Sequence, residues 1–389
     1  MLIAGEASGD LHGSHLIAAL RSERPDTEFT FLGGDMMIHA AGVQPVVHYR
    51  EMAFMGFSEV IRNLGKVRRN MAAARQALVQ QHPDALILID YPSFNLKIAE
   101  TAAKLHIPVF YYISPKLWAW KSWRIKAIRR LVSKVLCILP FEPRWYARRG
   151  YADAVYVGNP SVEEIDKALS QAPGRDALFS ELKLRPRPLL LLMPGSRRGE
   201  IRCNLPVMAQ AARRFPGYTI AIAGAPAIDD SLYTSIAPYP VIRNHTYDLL
   251  RYAHAALVTS GTATLETALA GVPQVVVYRS NGSKIAYSIM EKILKVKYVS
   301  LPNLILDSPA LPELLLHHCT PDTVADTLAQ LTPNNSPARQ AQLQASQTLR
   351  DTLTTQKAAH TAAHIILDSL TPPSGVTPGA FRTQTQITI

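Results

Sequence analysis

"SGTATLETALAGVPQVVVYR" runs from Ser260 to Arg279. An apolar run at 255–258 enters it, and small and hydroxylated residues follow. A helix-like stretch comes next, then Gly271-Val272-Pro273, then the β-run 275–278. A strand, a small-residue turn, a helix and a further strand form the repeating piece of a parallel sheet covered on both faces. The same alternation extends through the chain. Strands are expected at 2–4, 30–32, 85–89, 109–113, 134–139 and 154–157, with helices between them such as 11–22 and 96–105. The second half repeats the scheme at 188–193, 219–223, 255–258 and 274–278. Length sets how many such units to expect: 389 residues are too many for one ordinary core.

The fold class expected is therefore α/β, with two doubly wound domains. Strand signals stop near "VGNPSVEEID", where Asn159-Pro160 marks a turn, so the join is placed there. The boundaries read from the pattern are 1–162, 163–345, a C-terminal helical segment 346–370 packing back on the first domain, and a polar, Pro/Gly-rich tail 371–389 read as disordered.

Composition narrows the function classes. Hydrophobic residues make up 48% and charged residues 18%, which fits a globular chain. No apolar run approaches the length of a membrane span. "MLIAGEASGD" at the start has no basic region or cleavage site, so no signal peptide is expected. The three cysteines are isolated from one another, which fits a reducing cytoplasm and supplies no metal spacing. No D-x-D and no His/Cys/Asp cluster occurs, so neither a catalytic metal nor a cofactor is expected. The net charge of +11 points to an anionic partner: a phosphorylated substrate, a membrane surface or nucleic acid.

Ligands of open α/β sheets bind outside the carboxyl ends of the strands. Four strand ends carry chemistry. After 188–193 comes "PGSRRGEI", where Gly195 and Ser196 form a tight turn beside Arg197. Arg197 offers a planar fork of donors suited to phosphate, though a surface Arg on an ordinary loop would read the same way. After 255–258, Ser260, Gly261, Thr262, Ala263 and Thr264 open a helix whose N-terminus suits a diphosphate. Glu266, one turn on, suits ribose hydroxyls better than phosphate; an exposed helix Glu is the alternative. Asp90 ends "LILID" and is either a cap for the next helix or a catalytic carboxylate. "GEASGDLHG" places Asp10 and His12 on the turn after the first strand.

Two more stretches carry charge. "YYISPKLWAWKSWRIKAIRR" holds Trp118, Trp120 and Trp123 with a basic stripe after them, suited to a sugar or acyl pocket, to nucleic acid or to packing. In "SEVIRNLGKVRRNMAAARQAL", Val60, Ile61, Leu64, Val67 and Met71 recur at helical spacing beside Arg68 and Arg69. That pattern suits a helix lying on an anionic membrane, or a core-facing helix with a basic outer face.

Together "GEASGDLHG", "GFSEV", "DYPSFN", "YYISPKLWAWK", "LPFEP", "MPGSRRGEI", "SGTATLETAL" and "KYVSLPNLILD" resemble the lipid-A-disaccharide synthase family of Gram-negative bacteria. The resemblance implies a GT-B fold, two Rossmann-like domains facing a cleft. It implies an inverting, metal-independent transfer from UDP-2,3-diacylglucosamine to 2,3-diacylglucosamine 1-phosphate (lipid X), with UDP released. It also implies a homodimer at the cytoplasmic face of the inner membrane, with no nucleic acid bound. It adds Asn303 to the nucleotide-binding set. Another GT-B UDP-sugar enzyme and a basic nucleic-acid-binding protein are the rival readings. Three departures from the family stand out: a short first strand, Asn159 where His is usual, and Leu316 where Gln is common.

Overall fold

The structure is a computed structural model, and it describes residues 1–52, 64–119, 121–279 and 297–371. Two sheets form. The first holds β1 (Leu2–Ala4), β2 (Phe31–Gly33), β3 (Val47–His48), β4 (Leu86–Ile89), β5 (Val109–Tyr112), β6 (Lys134–Cys137) and β7 (Ala154–Tyr156). The second holds β8 (Leu189–Met193), β9 (Thr219–Ala223), β10 (Val241–Ile242), β11 (Ala253–Thr259), β12 (Gln274–Tyr278) and β13 (Glu313–Leu315). Their orders are β3-β2-β1-β4-β5-β6-β7 and β10-β9-β8-β11-β12-β13. Described strand pairs such as β1 with β4 and β8 with β11 are parallel. Each sheet thus reverses direction once, between β1 and β4 and between β8 and β11. That reversal opens a crevice at the strand ends.

Side chains alternate across each sheet because the strand period is two. In β1 and β4, Ile3 and Leu88 join one core while Leu2, Ala4, Ile87 and Ile89 join the other. The second sheet divides the same way, with Leu190 and Leu192 on one face and Leu189 and Leu191 on the opposite one. The three strands that periodicity missed are β3, β10 and β13, all at or near sheet edges and only two or three residues long. Such short edges carry no apolar run to read.

Two crossings join the halves. The helix Pro160–Gln171 starts at Asn159, whose side chain accepts from the Ser161 amide and donates to the Ile138 carbonyl. Asn159 is buried, so this departure from the family is a helix cap. The boundary drawn after residue 162 therefore cuts that helix, and the one after 345 cuts the helix Pro337–Leu353. At the second crossing a Cβ on Gly158, whose φ is +100°, would lie 2.4 Å from the Gln356 carbonyl oxygen. The chain then returns as the helix Ala358–Leu370, which buries Ala362, Ala363 and Ile366 in the first domain's core with Leu16 and Ile17. A separate apolar cluster at the junction unites Leu139, Val162 and Ile165 with Leu265, Leu269, Leu349 and Leu353.

No described helix is long and apolar enough to cross a membrane. Val60 and Ile61 lie outside the described residues. The helix Leu64–Gln81 includes the rest of the basic stripe. Within it Met71 packs on the first core and Val67 is half-buried, while Arg68 and Arg69 are exposed. For Met71 the core-facing reading replaces the membrane-facing one, because the helix lies against the sheet from that point on. The tail beyond residue 371 is outside the described residues.

Candidate active site

At the switch point of the second sheet, the turns after β8 and β11 enclose a cavity of about 490 Å³. Gly195, Ser196, Arg197, Ser260, Gly261, Thr262, Ala263 and Glu266 line it, and Lys116 enters from the first domain. The sequence places these turns about sixty-five residues apart; parallel pairing of β8 with β11 brings them together.

The turn after β11 leads into the helix Thr262–Leu269. First-turn amides of a helix have no intrahelical partner, which is the physical basis of anion binding there. Thr264 departs from expectation. It is fully buried, its hydroxyl donates to the Gly261 carbonyl at 2.8 Å, and its own carbonyl accepts from Gln274. It shapes the turn from behind and does not line the cavity. Glu266 does line it; burial, and then the charge of Glu164, push its carboxyl above the usual range.

The turn after β8 is held by a residue that sequence reasoning passed over. Glu200 Oε2 accepts from the amides of Ser196 at 3.1 Å and Arg197 at 3.3 Å, and its Oε1 takes Arg197 Nη1 at 2.7 Å. Gly195 has φ +112°, and a Cβ there would stand 2.6 Å from Glu200 Oε2. Glycine is required for both reasons. Arg197 itself is 79% exposed in its side chain.

At the switch point of the first sheet stand the turns after β1 and β4. Asp90 and Tyr91 follow Ile89 with φ of +43° and +44°. Two successive non-glycine residues in the left-handed region store strain, which marks functional turns. The turn is anchored from below: the Asp90 carbonyl accepts from Tyr111 Oη and Asn95 Nδ2, both at 2.7 Å. The Asp90 side chain makes no cap hydrogen bond to the helix Pro92–Lys104, whose cap residue is Tyr91. Burial raises the Asp90 carboxyl above its ordinary range, while Lys116, the Tyr91 amide and the charge of His12 pull it back. Gly5 packs under the Tyr91 ring, so the two turns touch. Glu6, on that first turn, is raised by partial desolvation and by Asp90 and lowered by Arg197 across the cleft.

Two expected site residues have other work. Asp10 is buried, and its carboxylate accepts from the amides of Gly34, Met36 and Met37 at 2.7, 3.1 and 3.1 Å. It caps the helix Asp35–Ala41 and has no free face toward the cleft, because the first helix starts at Ala7 and turns residue 10 inward. Asn303 is also buried, donating to Leu311 O and Glu313 Oε1 and accepting from the Leu311 amide. It ties the helix Leu301–Leu306 to the segment 311–313 and does not line the cavity. Leu316, the third departure, has φ +54° and is buried. Trp118 packs edge-on against Phe141 and donates to buried Glu142, so packing accounts for it; Trp123 is exposed. No group of metal-ligating side chains occurs among the described residues.

Two Rossmann-like sheets with matching strand order, each aiming its switch point at a shared cleft, define the GT-B class of fold. Solved structures agree. A UDP-GlcNAc 2-epimerase from Neisseria meningitidis, bound to UDP-GlcNAc, matches with TM-score 0.58 at 11% identity, covering 95% of this chain and 98% of that one. The calicheamicin glycosyltransferase CalG4 matches with TM-score 0.57 at 14% identity over 95% and 97%. A family model described as lipid-A-disaccharide synthetase matches residues 1–367, and the chain belongs to that family. It is 38% identical over 382 residues to the lipid-A-disaccharide synthase of Myxococcus xanthus, covering 96% of this chain and 97% of the relative. The corresponding protein of Syntrophus aciditrophicus is 36% identical over 380 residues, covering 94% and 96%. The protein is thus a glycosyltransferase of lipid A disaccharide synthesis, acting on nucleotide-sugar and lipid-linked substrates.

Proposed function

We propose that the protein transfers diacylglucosamine from UDP-2,3-diacylglucosamine to lipid X by a single inverting displacement. The cavity between the turns after β8 and β11 carries this reading, since it joins a helix N-terminus, an arginine and a carboxylate at one switch point. The diphosphate sits on the amides of Gly261–Ala263, and Glu266 accepts from the ribose hydroxyls. Neighbours of the same fold bind UDP-GlcNAc, which supports a UDP-sugar there. Asp90, on the opposite domain, takes the proton of the acceptor's 6-hydroxyl. That oxygen bonds to the anomeric carbon as the bond to the β-phosphate breaks, and the electron pair leaves with UDP. Arg197, free in most of its surface, and Lys116 meet the charge that develops on the departing phosphate. The enzyme works as a homodimer at the cytoplasmic face of an anionic inner membrane.

Purified protein incubated with both lipid substrates should release UDP and a β-1′,6-linked disaccharide in equal amounts. Arg197→Ala should lose turnover even at saturating donor, because its contact strengthens in the transition state. A raised KM with normal kcat would show uniform binding and remove that role.

A further inference from the structure

Lys116 lines the donor cavity from the first domain, on the loop 113–119 that leaves the end of β5. A lysine is a point charge on a flexible four-carbon stem, so the place of its ammonium depends on how firmly its backbone is held. The loop is pinned on both sides of that residue. Before it, Ile113 has φ +56°, a strained setting for a β-branched residue, and its carbonyl accepts from the Asp90 amide at 3.2 Å. Ser114 Oγ accepts from Tyr146 Oη at 3.1 Å. After it, Leu117 is 1% exposed in the first core, and the Trp118 ring packs edge-on against Phe141 at 5.2 Å. Pro115 is buried too, while Lys116, between Pro115 and Leu117, is exposed.

Glu142 completes these anchors. It is 2% exposed, and its two oxygens take different donors: Oε1 accepts from Trp118 Nε1 and Oε2 from the Leu139 amide, both at 3.1 Å. Burial pushes its carboxyl up to about 7, while Trp118, the Leu139 amide and then the charge of Lys116 pull it back. A carboxylate held by neutral donors is costly to bury. It supplies what an amide side chain lacks, two acceptors at a fixed separation. Phe141, Glu142 and Tyr146 all belong to the helix Glu142–Ala147 and its cap, so one short element grips the lysine loop three times.

We propose that Glu142 is a positioning residue for the transfer: through Trp118 it fixes the loop 113–119 so that the Lys116 ammonium stands where the departing phosphate gains charge. The proposal rests on the reading that Lys116 meets that charge. An ammonium already in place needs no reorganisation as the bond breaks, and one that must be recruited does. Loosening the clamp should therefore slow turnover and leave donor binding nearly intact.

The test is kcat and donor KM for the full chain with both lipid substrates, in K116M, E142Q and W118F and in the two double variants that carry K116M. W118F keeps a ring against Phe141 and removes the indole N–H; E142Q keeps one of the two acceptors. K116M should lose about 10²-fold in kcat. E142Q and W118F should each lose about fivefold to thirtyfold in kcat, with KM within about twofold of the parent's. In the K116M background the same changes should cost less than about twofold more, because the group they position is gone. A loss that persists undiminished without Lys116, as a merely structural contact would give, overturns the proposal. So does a loss that falls on KM alone. Should E142Q lose its cooperative melt, W118F decides by the same criteria. Parent-like kcat in E142Q and W118F strikes the clamp alone, whereas parent-like kcat in K116M removes the reading beneath it.

Discussion

Asp90 shows how a single side chain acquires a role from its backbone. Sequence left it between helix cap and base. The structure removes the first option, because left-handed Asp90 and Tyr91 place the cap at Tyr91, with no side-chain cap bond. D90N keeps the shape, so the melting temperature should stay close to the parent's. Turnover should fall about 10²–10⁴-fold, the usual contribution of a general base, with UDP affinity intact. Glu266 is the matching residue on the donor side. Losing a charge-assisted hydrogen bond costs about 1.5–3 kcal/mol, so E266A should weaken UDP binding about 10- to 150-fold by calorimetry. Unchanged affinity would return Glu266 to an ordinary helix surface. Asp10, Thr264 and Asn303 share one property: each is of the right residue type, but its polar atoms are taken up by other groups of the protein, for Asp10 by amides 24 to 27 residues on, for Thr264 and Asn303 by nearer ones. Only coordinates show where a short polar side chain turns.

Helices and turns between strands were legible because apolar period marks them. The turns at 195–197 and 260–261 fall where expected, at the ends of β8 and β11, but the stretch 5–13, read as a turn, is already helix from Ala7. The last helix, Ala358–Leu370, turns Ala362, Ala363 and Ile366 into the first domain's core. Ile366 is 1% exposed there, against Leu16 and Ile17. I366A should therefore cost about 2–5 kcal/mol in urea unfolding, the range for large-to-alanine changes in a core. A cost below about 0.5 kcal/mol would mean that the helix is a loosely held strap.

For the molecule as a whole, the two sheets repeat one strand order and meet across one cleft. Arg197 of the second domain acts there on Glu6 of the first, while Lys116 acts on Asp90 within the first domain and Glu164 of the junction helix acts on Glu266. The net charge of +11 belongs to the molecule too. Exposed Arg68 and Arg69 on the helix Leu64–Gln81 are suited to anionic headgroups, each contributing about 1 kcal/mol near a charged surface. Replacing both with Gln should weaken binding to anionic vesicles about thirtyfold in sedimentation assays, and raising salt should weaken the parent too. Binding that is indifferent to both changes would exclude an electrostatic membrane contact by this face.

The sequence by itself determined the α/β class, the doubled domain, the strand ends that carry chemistry, and the family, because periodicity and turn chemistry are local and the motifs are long. Tertiary structure alone decided which strand ends face one another. Parallel pairing of β1 with β4, and of β8 with β11, joins turns some eighty and sixty-five residues apart. It also decided that Glu164 meets His12, that Glu200 holds the arginine turn, and that Asp10 serves a helix end. Those contacts depend on how separate elements pack, and no spacing along the chain encodes the angle at which a junction helix meets a sheet.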